Sequence, residues 1–352
     1  MHQVKMIVPP LPRKKIGTVF TILAMASVMT TSALADGSSA SGLVSDALPA
    51  NKVVATVKVG SYPYGLVVSP DNRMVYVLNS ASNNVSVIDA TTNTLKTTIT
   101  VGTYPEFAAV TPDGTTLYVT NYGDATVSVI STASNAVTNT LEVGLHPQGI
   151  AVTLDGKEAF VADFDGLVSV INTATNGVSS IAVPGSPYWI AFSPSGKQAY
   201  VVNSAVSGFI SVIDVATQTV SEKILGGGEM YAPLSLAVAP SGTLYVSDYF
   251  NYVAAISPAG VLKKVALIVP TIDVATSYYV GQSVVTPNGK YVYAANYSSN
   301  NVVMFSAGDL KQVGQPISTG NEPAFMAVAP NGKTLYVGDY LDASVTVINI
   351  AP

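Results

Sequence analysis

VGTYPEFAAVTPDGTTLYVTNYGDATVSVISTASNAV, residues 101–137, contains the pattern that decides the fold. A small, apolar run, FAAVT (107–111), ends at Pro112-Asp113-Gly114, and an aromatic-led run, YVTN (118–121), follows. VSVI (127–130) then alternates polar and apolar residues. Short runs of this kind, bounded by Gly, Pro, Asn and Asp, are strands joined by turns. Asp-Gly tolerates positive φ, so a two-residue hairpin is expected at 113–114.

Working outward, the same unit recurs. Its leading aromatic is Tyr76, Tyr118, Phe160, Tyr200, Tyr245, Tyr293 and Tyr336, at spacings of 42, 42, 40, 45, 48 and 43 residues. The turn before it is Asp71-Asn72, Asp113-Gly114, Asp155-Gly156, Ser195-Gly196, Ser241-Gly242, Asn288-Gly289 or Asn331-Gly332. A further run such as TTITVG (97–102) or NTLEVG (139–144) gives each unit four strands. A small four-stranded sheet cannot bury both faces alone, but seven packed face to face around an axis can. The expected fold is therefore all-β: a seven-bladed β-propeller of four-stranded antiparallel blades. The Gly/Ala/Val-rich first strands suit the crowded axis. The repeat opens on a lone fourth strand, KVVATVKVG (52–60), and ends after a third, SVTVINI (344–350). The N-terminal strand is expected to complete the last blade.

YVTN at 118–121, with TPDGTTLYVTN around it and VSVI after it, resembles the YVTN-family β-propeller repeat. That resemblance covers nearly all of the chain beyond residue 51. It implies the propeller, with ligands bound around the channel mouth on the face of the fourth-to-first and second-to-third loops. It is less specific for function, because propellers host binding modules and several enzyme classes. Similarity to lactonase-like propellers implies carboxylates around a divalent metal. Similarity to virginiamycin B lyase-type propellers implies His with an acidic residue and magnesium, a role open to His146 with Glu106 or Glu322. A periplasmic relative of the repeat that binds single-stranded DNA would imply base stacking on the aromatics.

Composition narrows these options. Of 352 residues, 48% are hydrophobic and 11% charged, too apolar for a disordered chain. Cysteine is absent, so stability rests on the core and not on disulfides. Arg13, Lys14 and Lys15 precede the apolar stretch Ile16 to Met29, and Ala33-Leu34-Ala35 has the small-x-small form of a cleavage site. Residues 1–35 are expected to be a Sec-type signal peptide cleaved near Ala35, 36–51 a flexible linker and 52–352 the propeller. The expected destination is the periplasm or the exterior, with no membrane-spanning segment in the mature chain. Without residues 1–35 the chain keeps 12 basic and 21 acidic residues, a net charge of about −9. That charge opposes binding to nucleic acid or anionic lipid.

One face collects the aromatic residues. The loops leading into the first strands hold the candidate ligand-binding residues Tyr64, Tyr104, His146, Tyr188, Trp189, Tyr231, Tyr279 and Phe325. The second-to-third loops of the same face add Tyr122, Phe164, Tyr249, Tyr297 and Tyr340. These residues either stack a ligand or cap the ends of the blade cores. Glu106, Glu229, Asp273 and Glu322 join this face, as ligands for calcium or magnesium, as a general base or as solubilising loop charge. His146, Glu106 and Glu322 are the catalytic candidates. A zinc, copper or haem site would need more than the single histidine of the mature chain. Gly226-Gly227-Gly228 lacks the Lys of a phosphate loop and reads as a rim. Asn79, Asn121, Asp163, Asn203, Asp248, Asn296 and Asp339 recur at the second-strand ends, where capping of loop N–H groups is expected.

The leading expectation is a non-catalytic binding or scaffold propeller, monomeric and without a cofactor. Its aromatic face would receive a protein, peptide, glycan or small ligand, with blades five and six as the wall of any pocket. The alternatives are a calcium- or magnesium-assisted lactonase or lyase at the channel mouth, and a purely structural envelope protein.

Overall fold

The computed structural model describes residues 51–204, 208–224, 232–248, 252–267 and 280–350. The expected signal peptide, residues 36–50 of the linker, and the candidates Tyr231, Tyr279, Glu229, Asp273 and Tyr249 lie outside them. So do Gly226-Gly227-Gly228 and the long sixth-unit loop, the segments that would form the expected pocket wall.

Seven four-stranded antiparallel sheets make up the described chain. Blade one is β2 (Pro63–Val68), β3 (Met74–Asn79), β4 (Asn84–Asp89) and β5 (Thr94–Thr100). Blade two is β6 (Pro105–Val110), β7 (Thr116–Asn121), β8 (Thr126–Ser131) and β9 (Ala136–Glu142). Blade three is β10 (Pro147–Val152), β11 (Glu158–Asp163), β12 (Leu167–Asn172) and β13 (Val178–Ala182). Blade four is β14 (Pro187–Phe192), β15 (Gln198–Asn203), β16 (Phe209–Asp214) and β17 (Thr219–Ile224). Blade five is β18 (Pro233–Val238), β19 (Leu244–Asp248), β20 (Tyr252–Ile256) and β21 (Leu262–Leu267). Blade six is β22 (Val280–Val285), β23 (Tyr291–Asn296), β24 (Asn301–Ser306) and β25 (Ile317–Ser318). Blade seven is β26 (Pro323–Val328), β27 (Thr334–Asp339) and β28 (Ser344–Asn349), completed by β1 (Lys52–Lys58). As expected, the N-terminal strand closes the ring, pairing Lys52 with Asn349 and Lys58 with Ser344. Asn51, just before it, accepts the Tyr293 hydroxyl at 3.1 Å, which ties this end to blade six.

The cores lie between blades, which explains why the second strands are apolar at nearly every position. Alternate residues of β3 point to opposite neighbours. Val75 and Val77 pack with Tyr336, Val345, Val347 and Val57 of blade seven. Tyr76 and Leu78 pack with Leu117, Val119 and Ile130 of blade two. The repeat's aromatic is thus the large side chain each blade sends into the next. Phe160 meets Ala199 and Val201, Tyr200 meets Leu244 and Val246, and Tyr293 meets Leu335 and Val337. Burying an aromatic at each interface is a large part of what holds the ring.

The hairpins differ from the two-residue expectation. Thr111 N–H bonds to Thr116 O and Gly114 N–H to Thr111 O, so the loop is the four residues 112–115. Proline presets the first corner of a type I turn, and Gly114, at φ 75°, takes the left-handed residue that closes it. Asp113 accepts the Thr115 N–H at 3.0 Å and holds the turn from within.

At the second-strand ends the expected capping of loop N–H groups is made by Asp248 and Asp339, whereas Asn79 and Asn121 bond third-strand serines instead. Asn79 donates to Ser86 Oγ at 2.9 Å and Asn121 to Ser128 Oγ at 2.9 Å, while Asp163 accepts from Ser169 Oγ at 2.7 Å. Asp339 accepts the Gly320 N–H at 3.0 Å. Glycine is needed opposite them: a Cβ on Gly102 would lie 2.6 Å from Asn121 Cγ. Among the described residues no helix is long and apolar enough to cross a membrane.

Candidate functional site

The site is built from the first residues of the inner strands. Six of these strands begin with proline, which suits a strand's first position because it has no N–H to donate. The register then slips, between Pro63 and Leu66, Pro105 and Ala108, Pro147 and Ile150, and Pro323 and Met326. Bulges at barrel rims re-aim side chains. Here they divide the aromatic face into two layers.

The outer layer is the residue before the proline. Tyr62, Tyr104, His146 and Glu322 occupy equivalent positions, all left-handed, with φ between 51° and 57°. The carbonyls of Tyr62, Tyr104 and Glu322 accept the N–H of the residue just after the second strand: Ser80 at 2.9 Å, Tyr122 at 3.0 Å and Tyr340 at 3.1 Å. Three of their side chains meet the preceding blade. Tyr62 stacks on Tyr340, with centroids 4.7 Å apart, and His146 on Tyr122 at 4.6 Å. Glu322 accepts a short hydrogen bond from the Tyr297 hydroxyl. Tyr62 and Tyr104 remain 39% exposed, and His146 is exposed.

The inner layer is the pair of residues after the proline, and most of it is buried. Tyr64, Phe107, Tyr188 and Phe325 are each less than a tenth exposed, and Trp189 is partly buried. Tyr64 packs on Phe325 at 4.5 Å and on Phe107 at 5.4 Å. Phe107 packs edge-on to Trp189 and to Phe325, each at 5.0 Å. The Tyr64 and Tyr188 hydroxyls share a hydrogen bond of 2.8 Å. Rings from blades one, two, four and seven therefore form a plug, in the edge-on and offset contacts that aromatic quadrupoles favour. Blades one and three carry Gly65 and Gly149, and blades five and six Ser235 and Gln282, where blades two, four and seven carry Phe107, Trp189 and Phe325. A Cβ on Gly65 would lie 2.2 Å from Glu106 O.

Electrostatics follow this packing. Burial pushes the Tyr64 and Tyr188 phenols above their ordinary range, and the Glu106 carboxylate nearby adds to it. Glu106 is itself 1% exposed. Farther along the inner strands lies a cavity of about 290 Å³, walled mainly by aliphatic groups such as Leu66, Ile150, Val284 and Met326. Gln282, also in its wall, accepts the Met326 N–H at 2.8 Å.

The eight ligand-binding candidates thus fall into three groups. Tyr64, Tyr188, Trp189 and Phe325 converge in the plug, Tyr104 and His146 stand on the rim, and Tyr231 and Tyr279 lie outside the described residues. Of the acidic candidates, Glu106 and Glu322 sit on different blades: Glu322 accepts from the Tyr297 hydroxyl, and the charge of Glu106 raises the Tyr64 and Tyr188 phenols. Among the described residues no group of three or more His, Asp or Glu gathers where it could hold a metal. The equivalence of Tyr62, Tyr104, His146 and Glu322 was readable as a residue-Pro pair in each repeat. The burial of the next two residues was not, because it depends on the bulge.

Residues 45–159 and 252–352 match the family described as "Lactonase, 7-bladed beta-propeller". No curated protein matches the chain. Among solved structures it is similar to Kuenenia stuttgartiensis hydrazine synthase, with 25% identity over 82% of this chain and 96% of that chain, at a TM-score of 0.72. The match spans both ends of the ring and is to the seven-bladed lactonase family, not to the YVTN repeat in particular. The chain belongs to the lactonase, seven-bladed β-propeller family.

Proposed function

We propose that this protein is an exported, non-catalytic binding or scaffold propeller that receives a partner on the rim of blades seven, one, two and three. The observation that carries this reading is the division of the aromatic face. The rings of Tyr64, Phe107, Trp189 and Phe325 fill one another's space at the channel mouth. Tyr62, Tyr104 and His146 stand exposed outside them, on a backbone held by loop-to-loop hydrogen bonds. Exposed aromatics on a rigid support supply contact area at low entropic cost. Export rests on the basic, apolar, small-residue order of residues 13–35. The test is retention of a partner from the native extracellular or periplasmic fraction by the wild-type chain and by a Tyr62→Asn/Tyr104→Asn variant. Asn tolerates left-handed backbone, so the variant keeps the fold. Equal retention by both would refute the rim as the binding surface.

Family membership favours a second reading, a calcium- or magnesium-assisted lactonase, with Glu106 and Glu322 as its described carboxylates. A panel of γ- and δ-lactones, assayed with either ion, separates the two. Metal-dependent turnover abolished by Glu322→Gln would establish the enzyme and displace the binding reading.

A further inference from the structure

Among the described residues the propeller sorts its charge by face. Arg73, Lys157, Lys197, Lys290 and Lys333 all sit just after the turn between first and second strands, on the face opposite the aromatic rim. Acidic turn residues accompany them: Lys157 pairs with Asp155 at 3.1 Å, and Arg73 lies beside Asp71 at 3.9 Å. That face is mixed in sign.

The rim of blades seven, one, two and three carries an excess of acid. Its loops carry the carboxylates of Asp124, Asp165, Glu322 and Asp342. Against them, Lys58 is the lysine at this rim among the described residues, and it donates to the Asp342 carbonyl at 3.1 Å. Lys52 and Lys96 belong to outer strands, near their far ends. Three of these carboxylates hold the backbone just before a rim residue. Asp124 accepts the Thr103 N–H at 2.6 Å, one residue before Tyr104. Asp165 accepts the Leu145 N–H at 3.0 Å, one residue before His146. Asp342 accepts the Asn321 N–H at 2.8 Å, next to Glu322.

Aromatic faces flanked by carboxylates attract cations twice over, through the ring quadrupole and through opposite charge. An anionic ligand is repelled by the same surface. A neutral one compensates the carboxylates only through hydrogen bonds, without the charge term that a cation adds. We infer that the partner of this rim is cationic: an Arg- or Lys-rich segment of another protein, its side chains laid over Tyr62, Tyr104 and the His146–Tyr122 pair. The inference rests on the proposed docking role of the rim and specifies the chemistry of what docks there. Arginine suits it better than lysine, because a planar guanidinium stacks on a ring while bonding a carboxylate.

The experiment measures fluorescence anisotropy of three labelled peptides against the full chain. They alternate Gly with Arg, with Gln or with Glu. The Arg peptide is expected to bind about tenfold or more tighter than the Gln peptide, a difference of about 1.4 kcal/mol. Its affinity should fall with added salt. It should weaken about fivefold in Tyr104→Asn, which loses the ring, and in Asp165→Asn, which keeps an acceptor for the Leu145 N–H. An Arg peptide that binds no tighter than the Gln peptide overturns the cationic partner. So does one that binds both variants as tightly as the wild type. If the Gln or Glu peptide binds instead, and Tyr62→Asn/Tyr104→Asn abolishes that binding, the rim remains a docking face and only the cationic inference falls. If no peptide binds, the inference falls.

Discussion

The phenolic oxygens of Tyr64 and Tyr188 lie 2.8 Å apart and share a hydrogen bond that joins blade one to blade four across the channel mouth. The two residues are 124 positions apart in sequence, in blades that are not neighbours. The bond closes the plug over the inner strands.

Removing either hydroxyl leaves the other buried with one partner fewer. Tyr64→Phe and Tyr188→Phe are each expected to cost about 1–2 kcal/mol in denaturant unfolding, and the double variant less than their sum. Additive losses would show that the two hydroxyls do not depend on each other. At alkaline pH the sign is fixed by burial. Both phenols titrate above the unfolded value of about 10. The unfolded state therefore loses these protons first, and stability falls as pH rises past about 10. Spectrophotometric titration should find tyrosines that ionise only as the chain unfolds.

Asp163 gives the opposite end of the pH scale a testable slope. Burial raises its carboxyl from 3.8 to about 7, against the hydrogen bonds from Ser169 that lower it. The folded state then holds a proton that the unfolded state has released. Its stabilising contribution is complete below about pH 4 and disappears as pH rises through about 7. Asp163→Asn, which places at this position the residue found at Asn79, Asn121 and Asn203, should flatten that slope. It should also stabilise the protein at pH 8 by on the order of 2 kcal/mol. Unfolding free energy measured across this range checks it, and an unchanged slope would assign the dependence to other groups. Asp339, raised by burial to about 6, is the natural second variant.

Ring closure depends on one face of β1. Val57 is 5% exposed within the core shared by blades seven and one, whereas Val53 is 40% exposed. Val57→Asp should cost more than about 3 kcal/mol, because it buries a carboxylate in an apolar interface. Val53→Asp should stay within about 0.5 kcal/mol of the wild type. Equal effects would mean that the closing strand is not packed as described.

Glycine at the end of the fourth strand is a close-approach position. Gly102→Ala puts a Cβ 2.6 Å from Asn121 Cγ and should cost about 2–3 kcal/mol in thermal unfolding. Gly308→Ala, whose nearest neighbour is 4.0 Å away, should be neutral or stabilise by up to about 1 kcal/mol.

Much of this architecture is readable in the amino-acid order, because it comes from interactions repeated in every unit. The aromatic leading each second strand, the polar turn pair ending mostly in Gly and the Asn or Asp at the strand end each recur, and each marks a local requirement of a strand, a turn or a buried cap. The open edge of the third strand in the last blade and the spare strand at the N-terminus determine the closure for the same reason. The hairpin loop length was less legible, since Asp-Gly serves both two- and four-residue loops, and Thr111 bonding to Thr116 decides between them.

What only the tertiary structure decided is which aromatic residues remain available. Tyr62 and Tyr64 are two residues apart, either side of Pro63, yet one stands 39% exposed on the rim and the other is 3% exposed in the plug. The left-handed residue, the proline and the bulge after it turn neighbouring side chains in opposite senses. Whether the inner one is then buried depends on what blades two, four and seven bring to the axis. The sequence by itself determined seven blades and one aromatic face. The convergence of four of those blades on a single axis divided that face into a buried centre and an exposed rim.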